Sequence, residues 1–487
     1  MLGNQLLHKK TKEDIQSLHA YINQIRGATF SHILFRDKKM KVEVEIISRE
    51  DIRPSSPTPS HLRSFKLSLL DQLIPTPYAP TILFYPSPSS NTANLSEIPK
   101  RLELLKQSLS DTLTQFYPLG GKIKNELSIE CNDEGANFVH AQVKCPLSEF
   151  LVQPQLTLLH KFLPSEPVCE ESHSGTYVTN IQVNIFECGG IAIGMCISHR
   201  ILDGAALSTF LKGWTERARG CNQLTQPNFI ASSLFPTNSL WLKDLSMDMW
   251  GSLLKQGKWV TKRFLFRNLD IATLKAQILG TTNSYPTRLE IVSAILWKSL
   301  MALSKARFGT QRPSLVTHLV NLRRRMDEAL CSKHAMGNLL WLVATEHKSD
   351  HEIGLEELVT KLRDAISKVD SEFVEELQGD KGRSIMHEAL KTIGETGSTN
   401  EVDYFGFTSW CNFGFYEADF GWGKPTWVTC VGSIGSVFFN FIILIDTRLG
   451  DGIEAWVTLD EDDMTHLEAN PQLLTYATLD PSPSTMS

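Results

Sequence analysis

Two apolar stretches in the middle of the chain predict neighbouring strands. Residues 177–187 (YVTNIQVNIFE) alternate apolar and polar side chains, which is the pattern of a strand with one face in the core. Residues 191–198 (IAIGMCIS) follow a Cys-Gly-Gly turn and are apolar at nearly every position, which favours a strand buried on both faces. Residues 204–220 then show helical apolar spacing and end on a glycine, which predicts a helix. His199 therefore lies where a buried strand ends and a helix is about to begin.

The remaining hydrophobic patterns divide the chain into two mixed halves. In the first half they predict a strand that opens at Met40, a helix over residues 94–114, and a hairpin made by residues 127–133 and 138–144. Residues 221–257 are rich in Asn, Pro and Ser and lack a regular pattern, so we interpret them as a crossover linker. In the second half, strands are predicted at residues 260–266, 314–326, 403–410, 425–430, 437–445 and 453–459, and helices at 287–300 and 351–394.

These halves predict a mixed α/β protein with two domains. We place the N-terminal domain at residues 40–220 and the C-terminal domain at residues 258–487, joined by the linker at 221–257. Residues 1–39 lack the compact apolar core of a secretory signal, and they carry acidic side chains that organellar transit peptides avoid. We therefore interpret residues 1–39 as an appendage that is not part of the fold.

The composition excludes several classes of function. The 487 residues are 42% hydrophobic and 21% charged, which is ordinary for a globular protein. A net charge of −6 provides no electrostatic footprint for nucleic acid or for an anionic membrane. The nine cysteines are scattered without a C-x-x-C pair, and no apolar run approaches the roughly 18–20 residues of a membrane span. We therefore expect a cytoplasmic protein whose cysteines are reduced.

His199 opens the hexapeptide HRILDG, and its chemistry has four interpretations. A zinc site needs at least three protein ligands, and neither an H-E-x-x-H motif nor a cysteine cluster supplies the others, so we expect no metal. No G-x-S-x-G elbow supports a nucleophile triad. A hydrogen-bonded core histidine stays open as the third interpretation. The depth of the strand end and the nearby Asp203 favour the fourth, a general base that takes a proton from an attacking alcohol or amine.

A second motif, DFGWGKP at residues 419–425, follows HRILDG later in the chain. This ordered pair resembles the motifs of the plant BAHD acyltransferases, which transfer acyl groups from acyl-CoA to alcohols or amines. The resemblance extends from Val42 to about Leu459 and beyond, without residues 1–39, and is closest to the alkaloid-acetylating group, although terpenoid-acylating members share much of it. Further stretches that resemble the family, in order, are SPTP, SLLDQL, ILFYP, FYPLGGK, FECGG, NLRRRM, MGN, FTSW and DGIEAW.

The resemblance implies two similarly built domains of the chloramphenicol-acetyltransferase-like type, with the active site in a channel between them. His199 corresponds to the catalytic histidine of the family. Asp203 corresponds to the motif aspartate, which holds the geometry of the loop by pairing with an arginine, here Arg323. Asn338 matches an asparagine near the active site. The residues implied to line the reaction centre, where they could stabilise the oxyanion of a tetrahedral intermediate, are Thr408 and Trp410.

The DFGWG loop is implied to be structural and remote from the reacting atoms. Asp419 would accept hydrogen bonds from backbone or arginine donors, while Gly421 and Gly423 form a tight turn in which Trp422 fills a core. The phosphates of CoA need cations. By placement alone the candidates are Lys262, Arg263 and Lys298, and for each of them a solvated surface position is an equal alternative.

The expected function is that of a monomeric, acyl-CoA-dependent O-acyltransferase that works by histidine general-base catalysis. The resemblance implies acetyl-CoA as the co-substrate, no bound cofactor, and a small-molecule alcohol as acceptor, either an alkaloid or a terpenoid of plant specialised metabolism. We expect no nucleic acid partner and no membrane partner. One alternative is a non-catalytic member of the same fold that binds a metabolite or a protein partner. Another is a condensation-type enzyme with a carrier-bound donor, but such domains lack DFGWG.

Overall fold

The computed structural model describes residues 41–74, 78–87, 93–164, 174–253, 258–279, 285–348, 352–399, 401–430 and 440–483. The strands are β1 Val44–Ile52, β2 Ser64–Lys66, β3 Tyr78–Tyr85, β4 Lys122–Asn125, β5 Ser128–Glu130, β6 Ala136–Val143, β7 Thr179–Phe186, β8 Ile191–Ser198, β9 Trp259–Arg267, β10 Ser314–Asn321, β11 Leu340–His347, β12 Asp403–Ser409, β13 Trp427–Thr429, β14 Phe441–Asp446, β15 Gly452–Asp460 and β16 Thr478–Leu479. The helices are α1 Ala93–Gln115, α2 Leu147–Val152, α3 Gly204–Ala218, α4 Ala231–Leu234, α5 Trp241–Leu253, α6 Asn268–Leu279, α7 Arg288–Phe308, α8 Leu355–Ser367, α9 Ser371–Gln378, α10 Gly382–Ser398, α11 Glu461–Leu467 and α12 Pro471–Leu474. Within these ranges, no helix has both the length and the apolar character needed to cross a membrane.

The first half of the chain builds a six-stranded sheet in the order β1-β6-β7-β8-β3-β13. β7 and β8 form at the predicted positions, and every residue of both strands is buried. The sequence predicts one buried face for β7, but its polar face is buried as well. The reason is a short 3-10 helix, Leu156–Phe162, whose carbonyl groups accept hydrogen bonds from the amides of Gln182 (2.9 Å) and Asn184 (2.9 Å).

The second half builds a seven-stranded sheet in the order β11-β10-β12-β14-β15-β9-β16. β10, β12 and β14 are parallel neighbours, so their carboxyl ends meet at one edge of the sheet. One strand of this half, β13, is not part of this sheet. It pairs with β3 of the first sheet, and Trp427 lies opposite Phe84. The first sheet is therefore completed by a strand from the far end of the chain. The structure is a mixed α/β fold, as predicted, with two large sheets.

The predicted hairpin of residues 127–133 and 138–144 is wrong. β5 pairs with β2 and β4 in a small three-stranded sheet, whereas β6 joins the large sheet beside β1. The chain changes direction between them at Gly135, which has a φ of 94°. An added Cβ at Gly135 would lie 2.3 Å from the carbonyl oxygen of Ile52, so the close approach of β1 requires glycine here.

The segment interpreted as a linker is more regular than its composition predicts. Residues 221–257 contain α4 and the 13-residue helix α5, whose apolar residues pack in one core with those of α10. The buried side chains of α5 recur at helical spacing: Leu242, Ser246, Met249, Trp250 and Leu253. The domain boundaries themselves stay a prediction. Residues 1–39 and 437–439, which include the predicted appendage and the start of a predicted strand, lie outside the described residues.

Candidate active site

His199 directly follows β8 and precedes helix α3, as the hydrophobic pattern predicts. Its side chain is half-buried, while the neighbouring Arg200 and Asp203 are buried. The connecting loop is tied to the second half of the chain by a β-bridge between Leu202 and Gly337. The histidine is therefore held at a strand end between segments that are distant in sequence.

The ring of His199 is held by Asn338. Its Nδ1 lies 3.0 Å from Oδ1 of Asn338, whose amide nitrogen donates to the carbonyl oxygen of His199 (2.7 Å) and to Oδ1 of Asp71 (2.9 Å). Because the amide nitrogen is directed at two acceptors, the oxygen of Asn338 faces the ring and must accept a hydrogen bond from the N–H at Nδ1. This arrangement assigns the tautomer of His199: Nδ1 carries the hydrogen, and Nε2 keeps its lone pair.

Asp71 lies behind Asn338 and was not predicted as a site residue. Four donors surround its carboxylate: the backbone and side-chain nitrogens of Asn338 (2.7 and 2.9 Å) and the backbone nitrogen and hydroxyl of Ser68 (2.7 and 2.8 Å). Burial raises the pKa of Asp71, and these hydrogen bonds oppose that shift. Since all four of these groups donate to the carboxylate, we assign it as ionised. A single acidic residue within the apolar run SLLDQL was the available signal in the sequence.

Burial also changes the protonation of His199. Removal from water lowers the pKa of the imidazole below its usual 6.5, and the nearby carboxylates of Asp203 and Asp71 only partly oppose this effect. The ring is therefore neutral at neutral pH. A neutral ring with a hydrogen-bonded Nδ1–H and an available Nε2 has the form that a general base requires.

Asp203 and Arg323 form a buried ion pair, with 2.7 Å between Nη1 and Oδ2. The same carboxylate oxygen accepts from the backbone nitrogen of Leu339 (3.1 Å), while Oδ1 caps helix α3 by accepting from the nitrogen of Ala206 (2.9 Å). Arg323 also donates to the carbonyl oxygens of Ala335 (2.9 Å) and Gly337 (2.9 Å). The pair thus connects the start of α3 with the segment that carries Asn338.

Thr408 lies in β12, and Trp410 follows its carboxyl end. Their side chains share one face because they are two residues apart along a strand direction. Trp410 belongs to the second half of the chain and lies beside the start of α3, which follows the loop of His199. An added Cβ at Gly204, the first residue of α3, would lie 3.5 Å from Cδ1 of the Trp410 indole. In the ranges that the structure describes, the hydroxyl of Thr408 has no hydrogen-bond partner. A cavity of about 200 Å³ borders Trp410, Phe415, Asp446 and Arg448.

The DFGWG loop packs on the first half of the chain. Oδ1 of Asp419 accepts hydrogen bonds from the backbone nitrogens of Gly421 (2.7 Å) and Gly423 (2.9 Å), which both adopt positive φ. Trp422 stacks on Phe420 with 5.6 Å between ring centroids, and Arg101 of helix α1 lies 5.5 Å from the Trp422 ring. All of these contacts are between residues of the loop or between the loop and its packing partners, and none involves His199.

Of the three cations predicted to bind the CoA phosphates, Arg263 is enclosed in the core. Arg263 is only 1% exposed; Nη1 lies 3.1 Å from the carboxylate of Glu454, and Nη2 donates to the carbonyl oxygen of Pro481. Its guanidinium is also stacked against Trp427. The prediction for Arg263 is therefore wrong, because no phosphate can reach a guanidinium enclosed in the core. Lys262 pairs with the carboxylates of Glu468 and Asp480, and Lys298 lies half-buried on α7.

Comparison with known proteins places these features in a family. A family model described as the transferase family matches residues 42–474. Limonoid 7-O-acetyltransferase from Citrus sinensis is 45% identical, covering 91% of this chain and 100% of that protein. Salutaridinol 7-O-acetyltransferase from Papaver somniferum is 37% identical, covering 87% of this chain and 96% of that protein. The crystal structure of vinorine synthase superimposes with a TM-score of 0.74 at 35% identity, covering 89% of this chain and 98% of that one.

Proposed function

The chain belongs to the transferase family of the BAHD acyltransferases, and we propose that it transfers an acetyl group from acetyl-CoA to a hydroxyl group of a limonoid-type terpenoid. The relatives support the choice of acyl group and acceptor class, since identity is 45% to the limonoid 7-O-acetyltransferase and 37% to the salutaridinol 7-O-acetyltransferase. The chemistry rests on a single observation, the contact of His199 with Asn338 that leaves Nε2 as the available base. The cytoplasmic location and the monomeric state stay predictions.

In the proposed reaction, Nε2 of His199 accepts the proton of the acceptor hydroxyl as its oxygen attacks the thioester carbonyl. A carbon–oxygen bond forms and a tetrahedral oxyanion develops. The oxyanion then collapses with cleavage of the carbon–sulfur bond, and the imidazolium returns its proton to the departing thiolate of CoA. No acyl-enzyme forms, so one positioned base serves both halves of the reaction. A base of this kind contributes about 10²–10⁴ in rate.

Asn338 and Asp71 support the charged form of the histidine. When Nε2 takes the proton, the imidazolium still donates from Nδ1 to the amide oxygen of Asn338. The carboxylate of Asp71 lies directly behind that amide, at 2.9 Å from its nitrogen. A buried negative charge at this position stabilises the positive charge that develops during attack, because the surrounding protein screens it less than water would. Asp71 is a positioning residue, since it acts through Asn338.

Thr408 and Trp410 are proposed to bind the oxyanion. The hydroxyl of Thr408 has no hydrogen-bond partner in the described part of the chain, so it can donate to an oxygen of the substrate. Trp410 borders the start of α3, close in sequence to the loop of His199. Asp203 and Arg323 are proposed to hold that loop in place: both oxygens of Asp203 accept hydrogen bonds from other groups.

The experiment is an acetyl transfer assay with the purified full-length chain. Acetyl-CoA is incubated with a limonoid alcohol and, separately, with a morphinan alcohol, and the acetate ester is measured by mass spectrometry. We expect ester from the limonoid, and we expect His199→Ala to lower turnover by about 10²–10⁴ while the chain stays folded. Lys348→Met is the control, because Lys348 is exposed and pairs with the exposed Glu346. Equal turnover by His199→Ala would disprove the assignment, and ester from the morphinan alone would overturn the acceptor class.

A further inference from the structure

We infer that Arg200, Glu126 and Lys243 form a clamp that positions the catalytic histidine by tying its loop to helix α5. This inference rests on the proposed function, because it assigns a role to side chains that do not touch the reacting atoms. The three residues come from different parts of the chain: the HRILDG loop, the turn between β4 and β5, and the segment interpreted as a linker. Their contacts connect the backbone next to His199 with a helix that sequence analysis left unassigned.

Arg200 is the first half of the clamp. It follows His199 in the chain, and its side chain is 4% exposed. Nη1 and Nη2 donate to the two carboxylate oxygens of Glu126 at 2.6 and 3.2 Å, which is the two-point geometry that fixes a guanidinium in orientation as well as in distance. Any shift of the loop at residue 200 must therefore break one of two charge-assisted hydrogen bonds.

Lys243 is the second half of the clamp. Lys243 lies in the first turn of α5. Its ammonium is 2.5 Å from the same Glu126 carboxylate that binds Arg200. Burial raises the pKa of Glu126, but the hydrogen bonds and charges of Arg200 and Lys243 outweigh this effect and the pKa is lowered. One carboxylate thus bridges two cations that would otherwise repel each other, and it fixes α5 relative to the loop of His199.

Helix α5 leads back to the active site by a second route. The backbone nitrogen of Lys243 donates to Oε1 of Gln72 (3.2 Å), which satisfies one of the open donors at the start of a helix. Ser246 and Trp250 of α5 both donate to the carbonyl oxygen of Leu73, at 2.6 and 3.0 Å. Gln72 is the neighbour of Asp71, which holds Asn338.

The contacts therefore form a closed network that connects to His199 at two points. One arm runs from its backbone through the clamp to α5, and the other runs from its imidazole through Asn338 and Asp71 to the same helix. Because both arms end on α5, the helix sets the position of the imidazole of His199 relative to the backbone of the same residue. A displacement of about 1 Å between base and substrate can lower turnover by about 10²-fold, so a partial loosening should be visible in turnover.

The test uses the full-length chain with Glu126→Gln, Arg200→Met, Lys243→Met and the double variant Arg200→Met with Glu126→Gln. We expect Glu126→Gln to lower kcat by about tenfold while the KM for acetyl-CoA stays within about twofold, since the variant moves the base and not the donor site. The double variant should be no slower than Arg200→Met, because the two residues act as one unit. Lys348→Met, which removes an exposed lysine from a surface pair, should match the wild type.

A second readout does not depend on acetyl transfer. Diethyl pyrocarbonate modifies accessible imidazole nitrogens, and its rate at His199 can be followed by mass spectrometry of the peptide. We expect severalfold faster modification in Glu126→Gln than in Lys348→Met. Unchanged modification, or additive costs in the double variant, would overturn the clamp. If the wild type acetylates no alcohol tested, the proposed function fails, while the modification rates still decide whether the clamp exists.

Discussion

The amide oxygen of Asn338 lies 3.0 Å from Nδ1 of His199, although 139 positions separate the two residues in the chain. The amide nitrogen of Asn338 is directed at the carbonyl oxygen of His199 and at Asp71, so the amide cannot rotate without losing two hydrogen bonds. One side chain therefore selects the tautomer of the base, fixes the plane of its ring and connects it to a buried carboxylate.

Turnover should fall at acidic pH with a midpoint below 6.5. Burial lowers the pKa of His199 from that value, and the base must be unprotonated to accept a proton from the acceptor. Activity is then fully present above the lowered pKa and is lost as the pH falls through it. The measurement is kcat/KM between pH 4.5 and pH 8 at constant ionic strength. A midpoint above 7 would contradict the assignment of His199 as a base that is uncharged at neutral pH.

Asn338→Ala should lower kcat by about 10- to 100-fold with little change in the KM for acetyl-CoA, because the ring loses the contact that orients it.

Asp71→Asn keeps the shape but removes the buried negative charge, so we expect the acidic limb of the pH profile to move to lower pH. Both effects are measured in the same titration. A kcat for Asn338→Ala equal to that of the wild type would show that the ring is oriented by something else.

Arg323→Met should destabilise the fold by about 3–5 kcal/mol, because it leaves the buried carboxylate of Asp203 without its ion-pair partner. The measurement is the free energy of unfolding from urea denaturation monitored by tryptophan fluorescence. Lys100→Met is the matched control, since Lys100 forms an exposed pair with Glu97 and should change stability by less than about 1 kcal/mol. Equal stability of the two variants would rule out a structural role for the pair.

Gly337→Ala should lower both stability and turnover. Gly337 has a φ of 114°, and an added Cβ would lie 2.8 Å from Cβ of Ala231, so strain and overlap together should cost about 2–5 kcal/mol. Gly220→Ala is the control: φ is 65°, but no atom lies within 4 Å of the added Cβ, so only about 1–2 kcal/mol of backbone strain applies. Turnover should fall only in Gly337→Ala, because its neighbour Asn338 must shift.

The correction for Arg263 shows where sequence patterns stop being informative. Lys262 and Arg263 are consecutive basic residues in a strand, and a strand places them on opposite faces. The pattern of β9 does not reveal that one face meets Glu454 and two tryptophans, since those partners come from β13 and β15. The same limit explains α5, because its first turn contacts the carboxylate of Glu126, which belongs to the distant turn between β4 and β5.

The local features of this protein can be predicted from its amino-acid sequence. Periodicity and turn residues placed His199 between a buried strand and a helix, and the two motifs identified the family, because such signals depend on neighbouring residues. The identity of the distant groups near the histidine depends on how the chain packs in three dimensions. Asn338 contacts the histidine directly, whereas Asp71 is connected to it through Asn338 and Glu126 through Arg200. Hydrogen bonds of this kind depend on distances of a few tenths of an ångström, which the packing of the whole chain sets.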